Sequence, residues 1–81
     1  MFGKLLSMTP TPTPRVRRTW AAAEAEANRR GHDYLGTEHL LLALLADRDG
    51  IAGRVLGELG VAEEAGRQLR AIMDSPEYSG S

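Results

Sequence analysis

Two histidines and a glutamate near the middle of the chain are the first candidates for chemistry. His32 and His39 are seven residues apart, and Glu38 directly precedes His39. A zinc ion needs one or two ligands beyond a histidine pair, and consecutive helical residues point about 100° apart, so Glu38 and His39 are poorly placed to share an ion. The HEXXH motif is absent, and no serine or threonine has the base and acid that acyl transfer requires. We therefore predict no catalysis, no metal site and no bound cofactor.

A helix that begins at Thr13 and Pro14 is expected to lead into this region. Threonine caps helix N-termini, and proline is favoured at the first helical position. Gly31 is expected to end the helix. An apolar stripe at helical spacing is formed by Val16, Trp20, Ala23 and Ala27. Because the Thr-Pro repeat over residues 9–14 disfavours helix, residues 1–12 are predicted to be a flexible segment with an extended linker.

A second helix is predicted to begin at a Gly-Thr pair, with Thr37 as its cap. Leucines within residues 40–45 point in nearly every direction around the axis, so this helix is predicted to be central and buried. A third helix is expected after a cap at Asp49, and Gly60 is expected to end it in a left-handed conformation.

The chain after Gly60 is expected to form a fourth helix and a tail. Apolar residues at helical spacing continue to Ile72, and an Asp-Ser-Pro sequence from residue 74 is expected to end the helix. The residues that follow are typical of a frayed terminus. The predicted organisation is an all-α domain over residues 13–74, preceded by the flexible segment and followed by a tail over residues 75–81.

Charge is divided unevenly between the two halves of the chain. Residues 1–30 carry six basic and two acidic side chains, whereas residues 31–81 carry four basic and nine acidic ones. A helix, turn and helix over residues 52–72 make a DNA-binding regulator the alternative function, but its second helix begins with glutamates that would face phosphates. We therefore predict no nucleic-acid partner. No apolar run approaches the ~20 residues of a membrane span, and the first residues do not resemble an export signal, so a cytoplasmic location without membrane contact is expected.

Three segments of the chain resemble one repeat of the Clp N-terminal domain family, which lies at the front of AAA+ unfoldases that feed the Clp protease. They are residues 31–45, 49–52 and 56–61, and they include the Gly-Thr-Glu-His-Leu-Leu sequence that begins at Gly36. The resemblance implies an all-α, four-helix repeat, half of the eight-helix double repeat that is usual in the family. The chain departs from the family in having one repeat and in lacking the Gly-x-x-x-x-Gly-Lys loop of an AAA+ module.

The resemblance also implies roles for individual residues. Since the family's matching glutamate holds the guanidinium group of phosphorylated arginine, Glu38 is implied to bind a guanidinium or peptide ligand together with Thr37 and Thr13. The alternative is an exposed first-turn acid that only interacts with the helix dipole. Structural roles are implied for two histidines and three glycines, namely His32, His39, Gly31, Gly36 and Gly60.

A non-catalytic protein- or peptide-binding module is the function that the resemblance implies. Its partners would be a Clp unfoldase, adaptor proteins, phosphoarginine-marked substrates or cyclic-peptide antibiotics. Such antibiotics target this domain in actinobacterial unfoldases, so a separate copy would act as a decoy. The abundance of Ala, Arg, Gly and Pro is typical of the GC-rich coding of actinobacteria.

A homodimer is predicted, because the domain is small and has no cysteine with which to form a disulfide. Two chains related by a twofold axis would imitate the tandem repeat of the family. The expected interface draws on Trp20, Val16 and Ala23 of the first helix, although a core position is the leading interpretation of Trp20. The competing arrangement is a monomer in which residues 1–6 fold over the same surface.

Overall fold

The computed structural model describes residues 10–81, which form four α-helices. They are α1 (Pro14–Arg29), α2 (Thr37–Ala46), α3 (Ile51–Glu58) and α4 (Ala62–Met73). No strand occurs in this range, so the all-α prediction is confirmed. None of these four helices combines the length and the apolar character that crossing a bilayer requires. Most of the predicted flexible segment lies outside the described residues, and its flexibility stays a prediction.

Helix α1 begins and ends as the sequence predicts. The Thr13 hydroxyl accepts a hydrogen bond from the Val16 N–H at 3.1 Å, and Pro14 occupies the first turn, where its missing N–H breaks no helical bond. Gly31 ends the helix with a φ of 77°, in the left-handed region that glycine adopts without strain. Gly60 follows α3 in the same way, with a φ of 75°.

The start of α2 differs by one residue from the sequence prediction. Gly36, rather than Thr37, precedes the helix, and it has no side chain with which to cap it. The His39 ring compensates, because its Nδ1 accepts the Gly36 N–H at 2.8 Å. Thr37 is therefore the first helical residue, and its N–H needs a partner from outside the helix.

Helix α3 begins one residue later than predicted, after Gly50 rather than Asp49, whereas α2 begins one residue earlier. The Gly50 N–H donates to the Asp47 carbonyl at 3.2 Å, so a tight turn connects α2 to α3. This turn brings α3 against the end of α2, and a Cβ on Gly53 would lie 2.1 Å from the Asp47 carbonyl oxygen. Only glycine therefore permits this close approach.

Helix α2 is the centre of the fold, as its leucines predict. It packs against each of the other three helices, whereas α1 packs against none of the described helices except α2. The buried apolar side chains are Ala23 and Ala27 of α1, Leu42, Ala43 and Leu45 of α2, and Ala62 and Met73 of α4. Because four of these seven are alanines, the core is thin, and larger apolar side chains remain at the surface.

The residues after α4 correct the prediction of a frayed tail. The Tyr78 N–H donates to the Ser75 carbonyl at 3.0 Å, and the chain then reaches the N-terminus of α2. Arg30, just after α1, forms an ion pair with Asp74 at 3.1 Å and ties the beginning of the tail to α1. Tyr78 and Ser81 donate hydrogen bonds to Glu38, and a pattern of apolar spacing does not reveal such contacts.

Candidate functional site

Glu38 is buried in the first turn of α2, with only 7% of its surface exposed. Its Oε2 accepts hydrogen bonds from the Tyr78 hydroxyl and from the Ser81 N–H, the latter at 3.2 Å. Its Oε1 is buried and has no hydrogen-bond partner among residues 10–81. Glu38 is therefore buried and not exposed, and among residues 10–81 its carboxylate has one satisfied and one unsatisfied oxygen.

Opposing effects act on the Glu38 carboxylate. Burial raises its pKa, whereas the hydrogen bonds from the Tyr78 hydroxyl and the Ser81 N–H lower it. The net pKa lies below the ordinary value for glutamate, so the carboxylate is ionised at neutral pH. Burial, followed by the hydrogen bond to Glu38, raises the pKa of Tyr78, so the hydroxyl remains a donor at neutral pH.

Two imidazole rings fix the start of α2 next to this carboxylate. His39 is fully buried, and its Nδ1 accepts the Gly36 N–H. The proton of the neutral ring is therefore on Nε2, which donates it to the His32 Nδ1 at 2.9 Å. Tyr34 stacks on His32 with ring centroids 4.9 Å apart. The histidine pair thus links the α1–α2 loop to α2. Within residues 10–81, no group of three or more His, Cys, Asp or Glu side chains is placed to hold a metal ion.

The two threonines implied to act with Glu38 lie in different places. Thr37 is adjacent to it, and its N–H donates to the Ser81 carbonyl at 3.2 Å while its side chain is exposed. Thr13 caps α1, and in the described part of the chain no hydrogen bond joins it to Glu38. The structure therefore places Thr37 at the Glu38 site and Thr13 outside its hydrogen-bond network.

A second feature is an apolar groove of about 650 Å³ between α1 and the start of α3, with residues of α2 in its lining. Its large apolar side chains are Val16, Trp20, Leu40, Leu44 and Ile51. Trp20 is 49% exposed and Ile51 is 73% exposed, so the interpretation of Trp20 as a core residue is wrong. Arg15 and Asp47, which form an ion pair at 3.4 Å, add charged groups to this lining.

Two of the three predicted interface residues lie at the apolar groove. Val16 and Trp20 line it, whereas Ala23 is fully buried within the chain. Of the helices in residues 10–81, only α2 packs against α1, and we therefore attribute the burial of Ala23 to the contact between those two helices. Any interface through the groove therefore uses Val16 and Trp20 and leaves Ala23 out.

Sequence reasoning missed residues on both features. Tyr78 and Ser81, which donate to Glu38, lie in the predicted tail, and no sequence pattern indicated that Ile51 lines the groove. The signal for Tyr78 was an aromatic residue within a segment otherwise rich in serine and glycine. Ser81 acts through its backbone, which leaves no signal in the sequence.

Comparison with known proteins places this architecture. The sequence-family model of the Clp repeat (R) N-terminal domain matches residues 11–75. Similar proteins include the negative regulator of genetic competence ClpC/MecB of Bacillus subtilis, 39% identical over 80 residues, and the chaperone protein ClpB of Oceanobacillus iheyensis, 45% identical over 56 residues. The chloroplastic chaperone protein ClpC of Pisum sativum is 50% identical over 48 residues.

These alignments cover 98%, 69% and 59% of this chain but 10%, 7% and 5% of the respective relatives, so the chain spans a tenth or less of their length. No solved structure matches it. The family match nevertheless covers most of the chain, and the four helices are those of one such repeat. The protein therefore belongs to the Clp repeat N-terminal domain family.

Proposed function

We propose that this chain is a non-catalytic protein-binding module that holds arginine side chains of its ligands, phosphorylated arginine included, at Glu38. The observation that carries the proposal is a buried carboxylate whose Oε1 lacks a hydrogen-bond partner within residues 10–81. A guanidinium group donates two parallel N–H bonds to a carboxylate and would satisfy both oxygens at once. Glu38 therefore has an unmet hydrogen-bonding requirement that this ligand class fulfils.

The position of Glu38 supports the same ligand class. The histidine pair holds the first turn of α2 in place, so the carboxylate is oriented before a ligand arrives. A phosphate on the guanidinium would lie near the start of a helix, where N–H groups and the helix dipole favour an anion. The Thr37 N–H is such a donor, and in this structure it is engaged by the Ser81 carbonyl.

The absence of a phosphate loop and of a nucleophile with its base supports a module without catalysis or a cofactor. We expect no ATP turnover above background and no stoichiometric zinc in protein purified without added metal. Either finding would overturn this part of the proposal.

Calorimetric titration with phosphoarginine and with arginine tests the Glu38 assignment. We expect Glu38→Gln to weaken phosphoarginine binding at least tenfold, because the charge that orients the guanidinium is lost. Glu63→Gln is the matched control, since Glu63 occupies the same second position of α4 but is exposed. Equal binding by the parent and Glu38→Gln, or no binding by the parent, would contradict the assignment.

A homodimer through the apolar groove is the second candidate property, and the exposure of Val16 and Trp20 favours it. Among the four helices of residues 10–81, α1 packs against α2 alone, and its Val16 and Trp20 side chains are exposed on the face that lines the groove. An isologous contact needs only one self-complementary patch. A second chain on this face would remove the exposed indole ring from water.

Light scattering after size exclusion tests the dimer. We expect the mass of two 8.8 kDa chains for the parent and of one chain for Trp20→Ser. Ala21→Ser is the matched control, because Ala21 is an exposed residue of the same helix outside the groove lining. A single-chain mass for the parent over a wide concentration range would reject the dimer. Calorimetric titration with a cyclic-peptide antibiotic tests the decoy hypothesis, which predicts binding, and the absence of binding would reject it.

The DNA-binding alternative has less support. Helix α4, which would be the recognition helix, begins with Glu63 and Glu64, and both side chains are exposed. An acidic helix start repels the phosphates that it would have to approach. A gel shift at low salt should detect no complex, and a specific shift would revive the alternative.

A further inference from the structure

The segment Tyr78–Ser81 occupies the place where a ligand of Glu38 would have to bind. Both groups that donate to the Glu38 Oε2 come from this segment, one from the Tyr78 side chain and one from the Ser81 backbone. The Ser81 carbonyl also accepts the Thr37 N–H, which is the helix donor next to the carboxylate. The segment therefore uses the carboxylate and the helix N-terminus together.

Aromatic packing adds to these hydrogen bonds. The Tyr78 ring lies with its centroid 5.4 Å from that of His32 and 6.3 Å from that of Tyr34. Gly80 packs so closely on Tyr34 that a Cβ at this position would lie 2.2 Å from the Tyr34 Cε2. The backbone of Gly80 is not in the left-handed region, so this contact alone excludes a larger residue.

We propose that residues 78–81 are an intramolecular occupant of the Glu38 site, which an arginine-bearing ligand must displace in order to bind. This inference rests on the proposed function. The two occupants differ in how they use the carboxylate, because the segment satisfies Oε2 and leaves Oε1 without a partner in residues 10–81, whereas a guanidinium satisfies both. The segment in turn has the advantage of being attached, with an effective concentration on the order of millimolar.

Competition of this kind sets a threshold for ligands. The apparent affinity of a ligand falls by the fraction of molecules in which the site is open. Single arginine side chains that bind weakly would be excluded, whereas phosphorylated or clustered arginines would displace the segment. The occupant thus raises the selectivity of the site and lowers its affinity.

Gly80→Val tests the inference without changing Glu38 or Tyr78. The added side chain collides with Tyr34 and should release the segment, so we expect phosphoarginine to bind about tenfold more tightly than to the parent, the factor that one hydrogen bond to a charged group contributes. Ser79→Val places the same side chain on the neighbouring exposed residue and should leave the affinity unchanged. Tyr78→Phe removes only the hydroxyl donor and should tighten binding in the same direction.

Amide hydrogen exchange without any ligand shows whether the segment is released. We expect the Thr37 and Ser81 amides to be protected in the parent and in Ser79→Val, and to exchange faster in Gly80→Val. If Gly80→Val releases the segment but binds phosphoarginine as tightly as the parent does, competition by the segment is disproved and the guanidinium site is retained. If neither protein binds phosphoarginine although the segment is released, the proposed function fails, and the inference fails with it.

Discussion

The Glu38 site and the apolar groove both involve α2, but they differ in how much of each the chain itself covers. The carboxylate is 7% exposed and is covered by residues 78–81 through specific hydrogen bonds. The groove has no comparable cover within residues 10–81, and Trp20 remains 49% exposed. A buried charge without hydrogen bonds is severely destabilising, whereas apolar surface in water costs only about 25 cal/mol per Å². The buried carboxylate therefore depends on its hydrogen bonds to Tyr78 and Ser81, whereas the groove needs no such contacts.

Glu63 shows that helix position alone does not produce this difference. It is the second residue of α4, as Glu38 is of α2, and both interact with a helix dipole. Glu63 is nevertheless exposed, because no later segment lies across the start of α4. The segment packed over a helix N-terminus, and not the acid itself, distinguishes the two positions.

The largest effect on stability is expected at the histidine pair that supports the Glu38 site. His39→Ala should lower the free energy of unfolding by about 3 kcal/mol, because it removes a fully buried side chain and two hydrogen bonds. Urea denaturation followed by circular dichroism measures this. His32, which is half-buried, is the control. His32→Ala should lower the free energy of unfolding by less than His39→Ala, since part of the His32 side chain is already in water. A cost equal to that of a surface substitution would show that the rings do not support the site.

The next largest effect on stability is expected when Glu38 is replaced and the result is compared with replacement of Glu63. Glu38→Ala should lower the free energy of unfolding by about 2 kcal/mol, because Tyr78 and Ser81 lose their acceptor. Glu63→Ala should change it by less than about 0.5 kcal/mol, as is usual for an exposed position. Chemical denaturation at pH 7 measures the free energy of unfolding of both variants. Equal losses for Glu38→Ala and Glu63→Ala would contradict the difference between the covered and the exposed glutamate.

A smaller change in the free energy of unfolding, whose direction follows from the lowered pKa of Glu38, is expected on acidification. The pKa of Glu38 is lowered in the folded state, so its contribution is present above the ordinary value of 4.5 and is lost as the pH falls through the lowered folded pKa. The difference in unfolding free energy between the parent and Glu38→Gln should therefore narrow below pH 4.5. A difference that widens on acidification would show that burial, and not hydrogen bonding, controls this carboxylate.

The smallest effect is expected at the apolar groove. At protein concentrations low enough to prevent association, Trp20→Ser should lower the free energy of unfolding by about 1 kcal/mol, because half of the side chain is already in water. Thermal unfolding monitored by circular dichroism measures it. A loss comparable to that of Glu38→Ala would mean that Trp20 belongs to the core and that the groove is less open than the structure indicates.

Regular structure was predictable from the sequence to a large extent. Thr13, Gly31 and Gly60 mark helix ends through their local chemistry, and the leucines of α2 identify the central helix, so each of these predictions is confirmed. The errors at Thr37 and Asp49 have a common feature. In both places a glycine occupies the N-cap position without a side-chain hydrogen bond, and hydrogen bonds of its backbone N–H to a residue three positions away, His39 or Asp47, accompany the helix start.

The candidate site was predictable only in part. The resemblance pointed to Glu38, but its burial depends on Tyr78 and Ser81, which lie 40 and 43 residues away in sequence. Such contacts have no local pattern, and one of them involves only a backbone N–H. The exposure of Trp20 could not be predicted either, because an apolar stripe on α1 does not show which of its residues pack against α2.

The central position of α2 has a consequence for the order of folding. Three of the four helix contacts join helices that are neighbours in the chain, and only α2 with α4 joins helices that are not. Short-range topologies of this kind fold rapidly, whereas the hydrogen bonds between the end of the chain and Glu38 close a loop of about 40 residues and carry a larger entropic penalty. We expect the helices to assemble first and residues 78–81 to dock last, so that each newly folded molecule presents an uncovered Glu38 for a short time.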